Sequence, residues 1–229
     1  MKDFTRFAVY LAPEPGPLAD FGSSWLGWDA AKGQEIAHPA LAGLPQPVVD
    51  LTGTPRKYGF HGTIKPPFAL AEGTTPTDLQ TELAALTTRL APIRLAGLEL
   101  TALGRFLALT VTGDAAPLAD MAAAVVRTLD PFRAPASAAE LARRRKAQLS
   151  ARQDELLDLW GYPYVMDEFR FHMTLTNRMP KPDLTATRQA LAPVLTPLLP
   201  CPFHVRDLCL FGEAPDGRFH LISRHALTG

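Results

Sequence analysis

The motif His-x-Thr occurs twice in this chain, as His61 with Thr63 and as His172 with Thr174. Each copy lies in a stretch where polar and apolar residues alternate, which is typical of a strand with one buried face. The histidine and the threonine of each copy then project from the same face, about 7 Å apart. The pattern predicts two strands that each present an imidazole and a hydroxyl to a cleft.

The two motifs belong to a longer repeat. The histidines are 111 residues apart, and an Arg-Phe pair recurs at a spacing of 113, at Arg105 and Arg218. Over 58–113 and again over 165–226 we predict a histidine strand, a helix and two further strands. In the first copy these follow at 76–90, 94–103 and 105–112, and in the second at 183–194, 203–211 and 218–224. Short apolar strands joined by glycine turns favour antiparallel pairing. The sequence therefore predicts an α+β fold with two antiparallel-sheet lobes and their helices, related by a pseudo-twofold axis.

The segments outside the repeats are expected to complete one bilobed domain over 1–229. A strand is predicted over 5–11, followed by a helix that begins at Pro17. The stretch 31–56 is rich in proline and glycine and has no clear period. A loop of this length is either a lid or a loosely ordered excursion.

A helical insert is predicted over 135–161, between the repeats. It begins with a capping box at Ser137, and Gly161 is suited to end it. Arg145 and Arg152, two turns apart, fall inside its apolar stripe. An arginine there needs an anionic partner or a route to water. We expect at least one of them to reach the cleft and bind a substrate anion; the alternative is a buried salt bridge.

The composition is that of a globular protein and limits the partners. Of 229 residues, 47% are hydrophobic and 20% charged, which excludes global disorder. Basic and acidic residues balance at 23 each, so the formal net charge is zero. Contact with long nucleic acid is therefore not expected, whereas a small anionic ligand needs only a local positive pocket.

The location predicted from the sequence is the cytoplasm. The first residues are charged where a signal peptide would be apolar, and the longest uncharged stretch, 190–205, contains four prolines. We therefore expect no signal peptide, no membrane span and no membrane partner. Cys201 and Cys209 lack zinc-site or redox spacing. Reduced thiols and a monomeric protein are the simplest expectation.

Two imidazoles can act as a general base and a general acid near neutral pH. Displacement at phosphorus needs a base at the entering oxygen and an acid at the leaving oxygen, on opposite sides. His61 and His172, related by the repeat, can supply that pair. No carboxylates cluster in a way that suits magnesium or manganese. We therefore expect a phosphoryl-transfer site with no metal and no cofactor.

The chain resembles the two-histidine (2H) phosphoesterase superfamily, which includes bacterial RNA cyclic phosphodiesterases and eukaryotic cyclic nucleotide phosphodiesterases. More narrowly, it is similar to the family of unknown function encoded in phosphonate-utilisation operons. The resemblance covers nearly the whole chain and is carried by RKYGFHGTIKPPF at 56–68, WGYPYV at 160–165 and FRFHMTLT at 169–176. It implies a bilobed fold with the two histidines facing each other across a central cleft. It also implies that Thr63 and Thr174 hydrogen-bond the phosphate.

Three further residues are predicted to bind the substrate. Lys65 shares the alternating face of His61, so it is expected to neutralise a phosphate oxygen, unless it is a strand-end lysine that extends to solvent. Tyr58 and Tyr164 precede the two motifs. They are suited either to stack on a base or donate to phosphate, or to form a packed wall.

The predicted function is hydrolysis or transesterification of a small phosphodiester, with a cyclic phosphate as the favoured substrate. The family resemblance suggests a sugar or nucleotide phosphate formed in phosphonate breakdown. One alternative is a module with the same fold that binds a phosphorylated ligand without turnover. A second is an RNA 2′,3′-cyclic phosphodiesterase, which the zero net charge disfavours and a basic track into the cleft would favour.

Overall fold

The computed structural model describes residues 3–229. Its strands are β1 (Arg6–Leu11), β2 (Trp28–Asp29), β3 (Gln34–Glu35), β4 (Gly62–Phe68), β5 (Ile93–Leu95), β6 (Gly97–Leu103), β7 (Phe106–Thr112), β8 (Met173–Thr174), β9 (Phe203–Val205), β10 (Asp207–Glu213) and β11 (Phe219–Ala226). Its α-helices are α1 (Pro17–Leu26), α2 (Val48–Leu51), α3 (Gly53–Arg56), α4 (Pro76–Thr87), α5 (Ala116–Thr128), α6 (Ala138–Arg145), α7 (Ala151–Trp160) and α8 (Lys181–Leu195). Short 3₁₀ turns occur at Asp130–Phe132, Met166–Glu168 and Thr196–Leu198.

Seven strands form one sheet in the order β11-β10-β1-β4-β8-β7-β6, and every neighbouring pair in it is antiparallel. The predicted α+β class with antiparallel pairing is confirmed. The two halves of the sheet meet where β4 lies beside β8, through the single residue pair of Gly62 and Met173. Only two residues of the second histidine segment form a strand, whereas the first contributes seven.

The two sequence repeats are interleaved in this sheet. The histidine strand β4 of the first repeat belongs to the half that contains β10 and β11 of the second. The histidine strand β8 of the second repeat pairs with β7 of the first. Equivalent strands β5 and β9 also pair with each other in a separate small sheet. Each lobe therefore contains strands from both repeats, and not from one contiguous repeat as the sequence suggested.

The helices cover one face of the sheet. In β1, Phe7, Val9 and Leu11 belong to the main core, which they share with residues of α1, α4, α5 and α8. The residues between them, Ala8 and Tyr10, lie on the other face among aromatic side chains of β10 and β11. This alternation leaves the second face available to form a cleft.

The segment 31–56 is anchored to the body at its C-terminal end. Val48 and Leu51 are buried, and the backbone N–H of Asn177 donates to the carbonyl of Leu51 at 2.7 Å. The Asn177 side chain donates to the Asp50 carbonyl and accepts from the Thr54 N–H, both at 2.7 Å. This end of the segment is therefore packed and not loosely ordered.

The insert contains two helices and not one. The first ends at Arg145, Gln148 has a φ of 53°, and the second begins after Ser150, whose hydroxyl accepts from the Gln153 N–H. Gly161 ends the second helix in the left-handed region with a φ of 70°, as the sequence predicted. The break interrupts the 3.6-residue period. The side chains of the first helix therefore do not share a face with those of the second, as they would on one continuous helix. None of the helices within residues 3–229 combines the length and apolarity needed to cross a bilayer.

Candidate active site

The register between β4 and β8 brings the two motifs together. Gly62 lies directly opposite Met173, so His61 lies beside Thr174, and Thr63 lies beside His172. Residues opposite each other in an antiparallel pair project from the same face. Met173 is buried in the core beneath the sheet, and the four polar side chains therefore project from the other face. A twofold rotation about the pair of Gly62 and Met173 interchanges the two motifs.

The glycine of the first motif permits this close approach. A Cβ atom at Gly62 would lie 2.3 Å from the ring of Phe171, which precedes His172. The space beneath the first motif is therefore filled by an aromatic residue of the second. Any larger residue at position 62 would displace the Phe171 ring.

Both histidines are oriented by the same kind of contact. The Nδ1 atom of His61 lies 2.9 Å from the carbonyl oxygen of Gly59, and that of His172 lies 2.8 Å from the carbonyl oxygen of Arg170. A carbonyl oxygen only accepts hydrogen bonds, so Nδ1 is the donor in each ring. In the neutral rings Nε2 is then the free basic nitrogen, on both sides of the pseudo-twofold axis.

The surroundings of His61 favour its neutral form. Its ring stacks on Tyr10 with centroids 3.7 Å apart, and its Nε2 lies 3.2 Å from the Thr63 hydroxyl. Loss of hydration lowers the pKa of His61 to about 4; the charge of His172 also lowers it, while the Gly59 carbonyl raises it. His61 is therefore neutral at pH 7 and suited to accept a proton. His172 is half-buried, with the Phe106 ring 5.9 Å away.

A cavity of about 890 Å³ opens above this face, within the size range of small-molecule sites. His61, Thr63 and Thr174 are among its walls, together with Tyr58 and Tyr164. His172 lies on the same face of the sheet but is not one of the wall residues. The structure therefore joins three of the four motif residues directly to the cavity.

The cavity walls are positively charged. Five cationic residues line it, and none of the described wall residues is an aspartate or glutamate. The five are Arg6, Lys57, Arg143, Arg144 and Arg178. Among these five, only Arg6 is neutralised by a close two-point ion pair, with Glu213 at 2.5 and 2.6 Å. The remaining excess of positive charge suits an anionic ligand, in a chain whose overall charge is zero.

Lys65 lies elsewhere. The partner of Val9 in β1 is Lys65, but the partner of the next residue, Tyr10, is Thr63, so Ile64 is an extra residue in β4. This bulge turns Lys65 towards the core, where it is 2% exposed. Its Nζ donates to the Val126 carbonyl at 3.2 Å, and it lies 3.7 Å from the Asp130 carboxylate. The prediction that Lys65 shares the face of His61 is wrong because strict alternation does not continue through the bulge.

Arg145 and Arg152 do not reach the cavity. Arg145 binds Asp154 and Asp158, both at 2.7 Å, and its side chain is 40% exposed. The expectation that one of the two arginines faces the histidines is wrong. Two preceding arginines of α6, Arg143 and Arg144, line the cavity instead.

Arg152 is likewise held at the surface, 43% exposed, by Asp167 at 2.6 Å and Glu155 at 2.7 Å. Each of these two predicted arginines is thus engaged by two carboxylates.

The two predicted tyrosines do line the cavity. The Tyr58 ring lies 6.0 Å from His61, and the Lys57 ammonium lies 4.8 Å from the Tyr58 ring. Tyr164 is 43% exposed and meets Tyr162 edge to face at 5.7 Å. Both are therefore placed to contact a ligand, whichever role they have.

The sequence analysis did not predict several of the residues that line the cavity. Tyr10 and Arg6 lie four residues apart on one face of β1, and strand alternation could have assigned them to the face of the histidines. Lys57 directly precedes Tyr58 and was overlooked. Nothing in the sequence indicated that Arg144 and the arginine before it line the cavity, because the continuous helix predicted there directs both side chains to solvent.

The described residues, 3–229, contain no group of three or more His, Cys, Asp or Glu side chains placed to hold a metal ion. The site presents two imidazoles, two hydroxyls and guanidinium groups.

The sequence matches the model of one known protein family. A family model described as "Protein of unknown function (DUF1045)" matches residues 63–220, from the threonine of the first motif to β11. The chain belongs to the DUF1045 family. This match confirms the prediction that the chain belongs to a family of unknown function.

The DUF1045 chain is also similar to longer proteins. It is 39% identical over 180 residues to a "Ribose 1,5-bisphosphate phosphokinase PhnN" of Janthinobacterium sp. (strain Marseille), covering 78% of this chain and 40% of that protein. It is 35% identical over 213 residues to a protein of the same name from Laribacter hongkongensis (strain HLHK9), covering 93% and 49%. The chain thus spans less than half the length of the curated relatives it matches.

Solved structures similar to this chain include E. coli LigT complexed with NADP+, at 14% identity, 99% coverage of both chains and a TM-score of 0.44. Another is TT0787 of Thermus thermophilus, at 16% identity, 98% coverage of both chains and a TM-score of 0.43.

Proposed function

We propose that this DUF1045 protein is a phosphodiesterase that hydrolyses a small cyclic phosphodiester by acid–base catalysis from His61 and His172, with no metal ion. The observation that carries the proposal is the register of β4 and β8, which sets each histidine beside the threonine of the other motif. That arrangement lies beneath a cavity whose walls are cationic. An arrangement with twofold symmetry about a bound phosphate provides a proton acceptor and a proton donor on opposite sides of phosphorus.

The geometry of His61 supports its role as the base. Its Nδ1 hydrogen is engaged by the Gly59 carbonyl, and its lowered pKa, about 4, leaves Nε2 free to accept a proton. In this mechanism a water molecule attacks phosphorus and transfers a proton to Nε2 of His61. His172 donates a proton to the leaving ester oxygen as the P–O bond breaks. Water then returns the two imidazoles to their starting protonation states.

Thr63 and Thr174 are proposed to hydrogen-bond the non-bridging phosphate oxygens. Each hydroxyl lies beside the histidine of the other motif, so both can contact one phosphate centred on the pseudo-twofold axis. In the absence of ligand, Thr63 is within hydrogen-bonding distance of His61 Nε2. Phosphate binding would therefore redirect that hydroxyl from the imidazole to the substrate.

The substrate we favour is a sugar cyclic phosphate. The relatives named ribose 1,5-bisphosphate phosphokinase are more than twice the length of their segment similar to this chain. Opening a cyclic phosphate on a phosphorylated ribose yields a ribose bisphosphate, and a ribose bisphosphate is the compound in the name of these relatives. The link to phosphonate breakdown implied by the family resemblance is part of this proposal, as is a role in the cytoplasm.

A screen of cyclic and linear phosphodiesters by phosphorus NMR tests the function. Conversion of a cyclic phosphate to a monoester, lost in His61→Ala and His172→Ala, is the expected result. Tight binding of a cyclic phosphate with no turnover by the wild type would instead support a ligand-binding module. Turnover restricted to RNA termini would support the RNA 2′,3′-cyclic phosphodiesterase alternative.

A further inference from the structure

Arg144 of α6 has an incomplete set of partners at the cavity wall. Its Nη2 donates to the Glu140 carboxylate at 2.9 Å, and its guanidinium lies 4.8 Å from the centre of the Tyr162 ring. Its Nε is buried and has no hydrogen-bond partner among the described residues. A buried N–H without an acceptor is costly, so an acceptor from a ligand would stabilise it.

The charge around Arg144 is also incompletely balanced. Arg143 lies 3.9 Å from the same Glu140 carboxylate, so two guanidinium groups share one acidic partner. The next residue, Arg145, has the opposite arrangement, with two carboxylates on one guanidinium. The cavity side of α6 therefore keeps a net positive charge, whereas its outer side does not.

This charged wall is close to the catalytic side of the cavity. Tyr162, beneath the Arg144 guanidinium, lines the same cavity as Tyr10. Tyr10 in turn stacks on His61. The ligand that reaches Arg144 can therefore also reach His61 within one cavity of about 890 Å³.

We propose that Arg144, assisted by Arg143, binds a second phosphate group of the substrate, so that the protein acts on cyclic phosphodiesters that also bear a phosphate monoester. The guanidinium fork suits a monoester phosphate, and stacking on an aromatic ring orients it in advance. The cyclic phosphate lies between the histidines, and the monoester lies at α6. This inference rests on the proposed function, since it assigns a specificity to the same reaction.

Turnover of a matched pair of substrates tests the assignment. Adenosine 2′,3′-cyclic phosphate is compared with its 5′-phosphorylated form for the wild type, Arg144→Met and Arg145→Met. The wild type is expected to prefer the 5′-phosphorylated form in kcat/KM by about tenfold to hundredfold, the value of one charge-assisted contact. Arg144→Met should lose most of that preference, while Arg145→Met, the adjacent arginine outside the cavity, should keep it.

Two outcomes would overturn the second phosphate site and leave the proposed function intact. One is turnover of both compounds by the wild type without preference; the other is an equal loss of preference in both arginine variants. Failure of the wild type to turn over any cyclic phosphodiester, in contrast, would overturn the proposed function.

Equilibrium binding tests whether Arg144 binds a second phosphate, even if no substrate is turned over. Calorimetry with ribose 1-phosphate and ribose 1,5-bisphosphate, which differ only in the monoester assigned to α6, should show roughly tenfold tighter binding of the bisphosphate by the wild type and by Arg145→Met, as expected for one added charge-assisted contact. In Arg144→Met the two affinities should become nearly equal. An unchanged ratio in Arg144→Met, with the same melting temperature as the wild type, would exclude the site.

Discussion

The Tyr10 ring lies against the imidazole of His61, with centroids 3.7 Å apart and 24° between the ring planes. Tyr10 is itself buried, so one face of the imidazole is shielded from water by a side chain that belongs to a different strand. The tyrosine therefore acts on the proposed base through its hydration, without contacting the reacting atoms.

Replacing Tyr10 by alanine should shift the acidic limb of the pH–rate profile to higher pH. Burial is the main cause of the lowered pKa of His61, and a base is active only when unprotonated. In the wild type that limb should lie near a pH of about 4, and in Tyr10→Ala it should move towards 6.5, the ordinary pKa of histidine. Tyr10→Phe keeps the stacked ring and is the control, whose limb should stay in place. An unmoved limb in Tyr10→Ala would mean that His61 is not the base.

Removal of either histidine of the proposed acid–base pair should abolish most of the activity. His61→Ala and His172→Ala each eliminate one proton-transfer group, worth about 10²–10⁴-fold in rate. Steady-state kinetics on the substrate found by phosphorus NMR measures this loss. Turnover by the double alanine variant at a rate near that of the wild type would refute the mechanism.

The threonines should matter less than the histidines. Thr63→Ala and Thr174→Ala each lose one hydrogen bond to a charged group, worth about 1.5–3 kcal/mol. Because the two hydroxyls are related by the pseudo-twofold axis, their effects on kcat/KM should be similar in size. A large effect in one variant and none in the other would show that the phosphate is not centred on that axis.

Activity should survive treatment with EDTA. In the proposed mechanism the acid and base groups are imidazoles, and residues 3–229 contain no group of three or more side chains placed to hold a metal ion. Activity assayed after chelation and dialysis, with and without added manganese or zinc, should remain the same. Strict dependence on either ion would contradict the proposed chemistry.

Lys65 should affect stability more than activity. Burial lowers its pKa to about 8, so between pH 8 and its unfolded value of 10.5 the unfolded chain holds a proton that the folded chain lacks. The free energy of unfolding contributed by this group therefore rises with pH across that window. Urea denaturation of the wild type and Lys65→Met, at several pH values from about 7.5 to about 10, measures the difference between them. That difference should change with pH in favour of the wild type, and a constant difference would contradict the shift.

The sequence predicted the elements well where hydrophobic period and turn residues agree. The repeated helix and strand pairs occur near their expected positions, because those segments bury one clear face in the shared core. The helix α5 was not predicted, since its alanine-rich sequence gives only a weak period. The sequence could not predict that strands of one repeat pair with strands of the other, because pairing between distant strands is decided by tertiary packing.

The errors at the candidate site come from single-residue irregularities. One extra residue, Ile64, turns Lys65 into the core, and one left-handed residue, Gln148, interrupts the insert helix. Neither leaves a trace in an alternating or helical pattern, because each changes the phase of the residues beyond it while leaving the composition unchanged. The motif residues themselves were found because they depend on spacings of only two residues.

The exchange of histidine strands between the two repeats has a kinetic consequence. The pairing of Gly62 with Met173 joins residues more than a hundred positions apart, and the pairing of β1 with β10 spans nearly the whole chain. Forming such non-local pairs costs loop-closure entropy before any contact energy is gained, and proteins rich in such pairs fold slowly. The proposed proton donor and acceptor can therefore meet only after the chain has been synthesised through the second histidine segment and that segment has paired with the first.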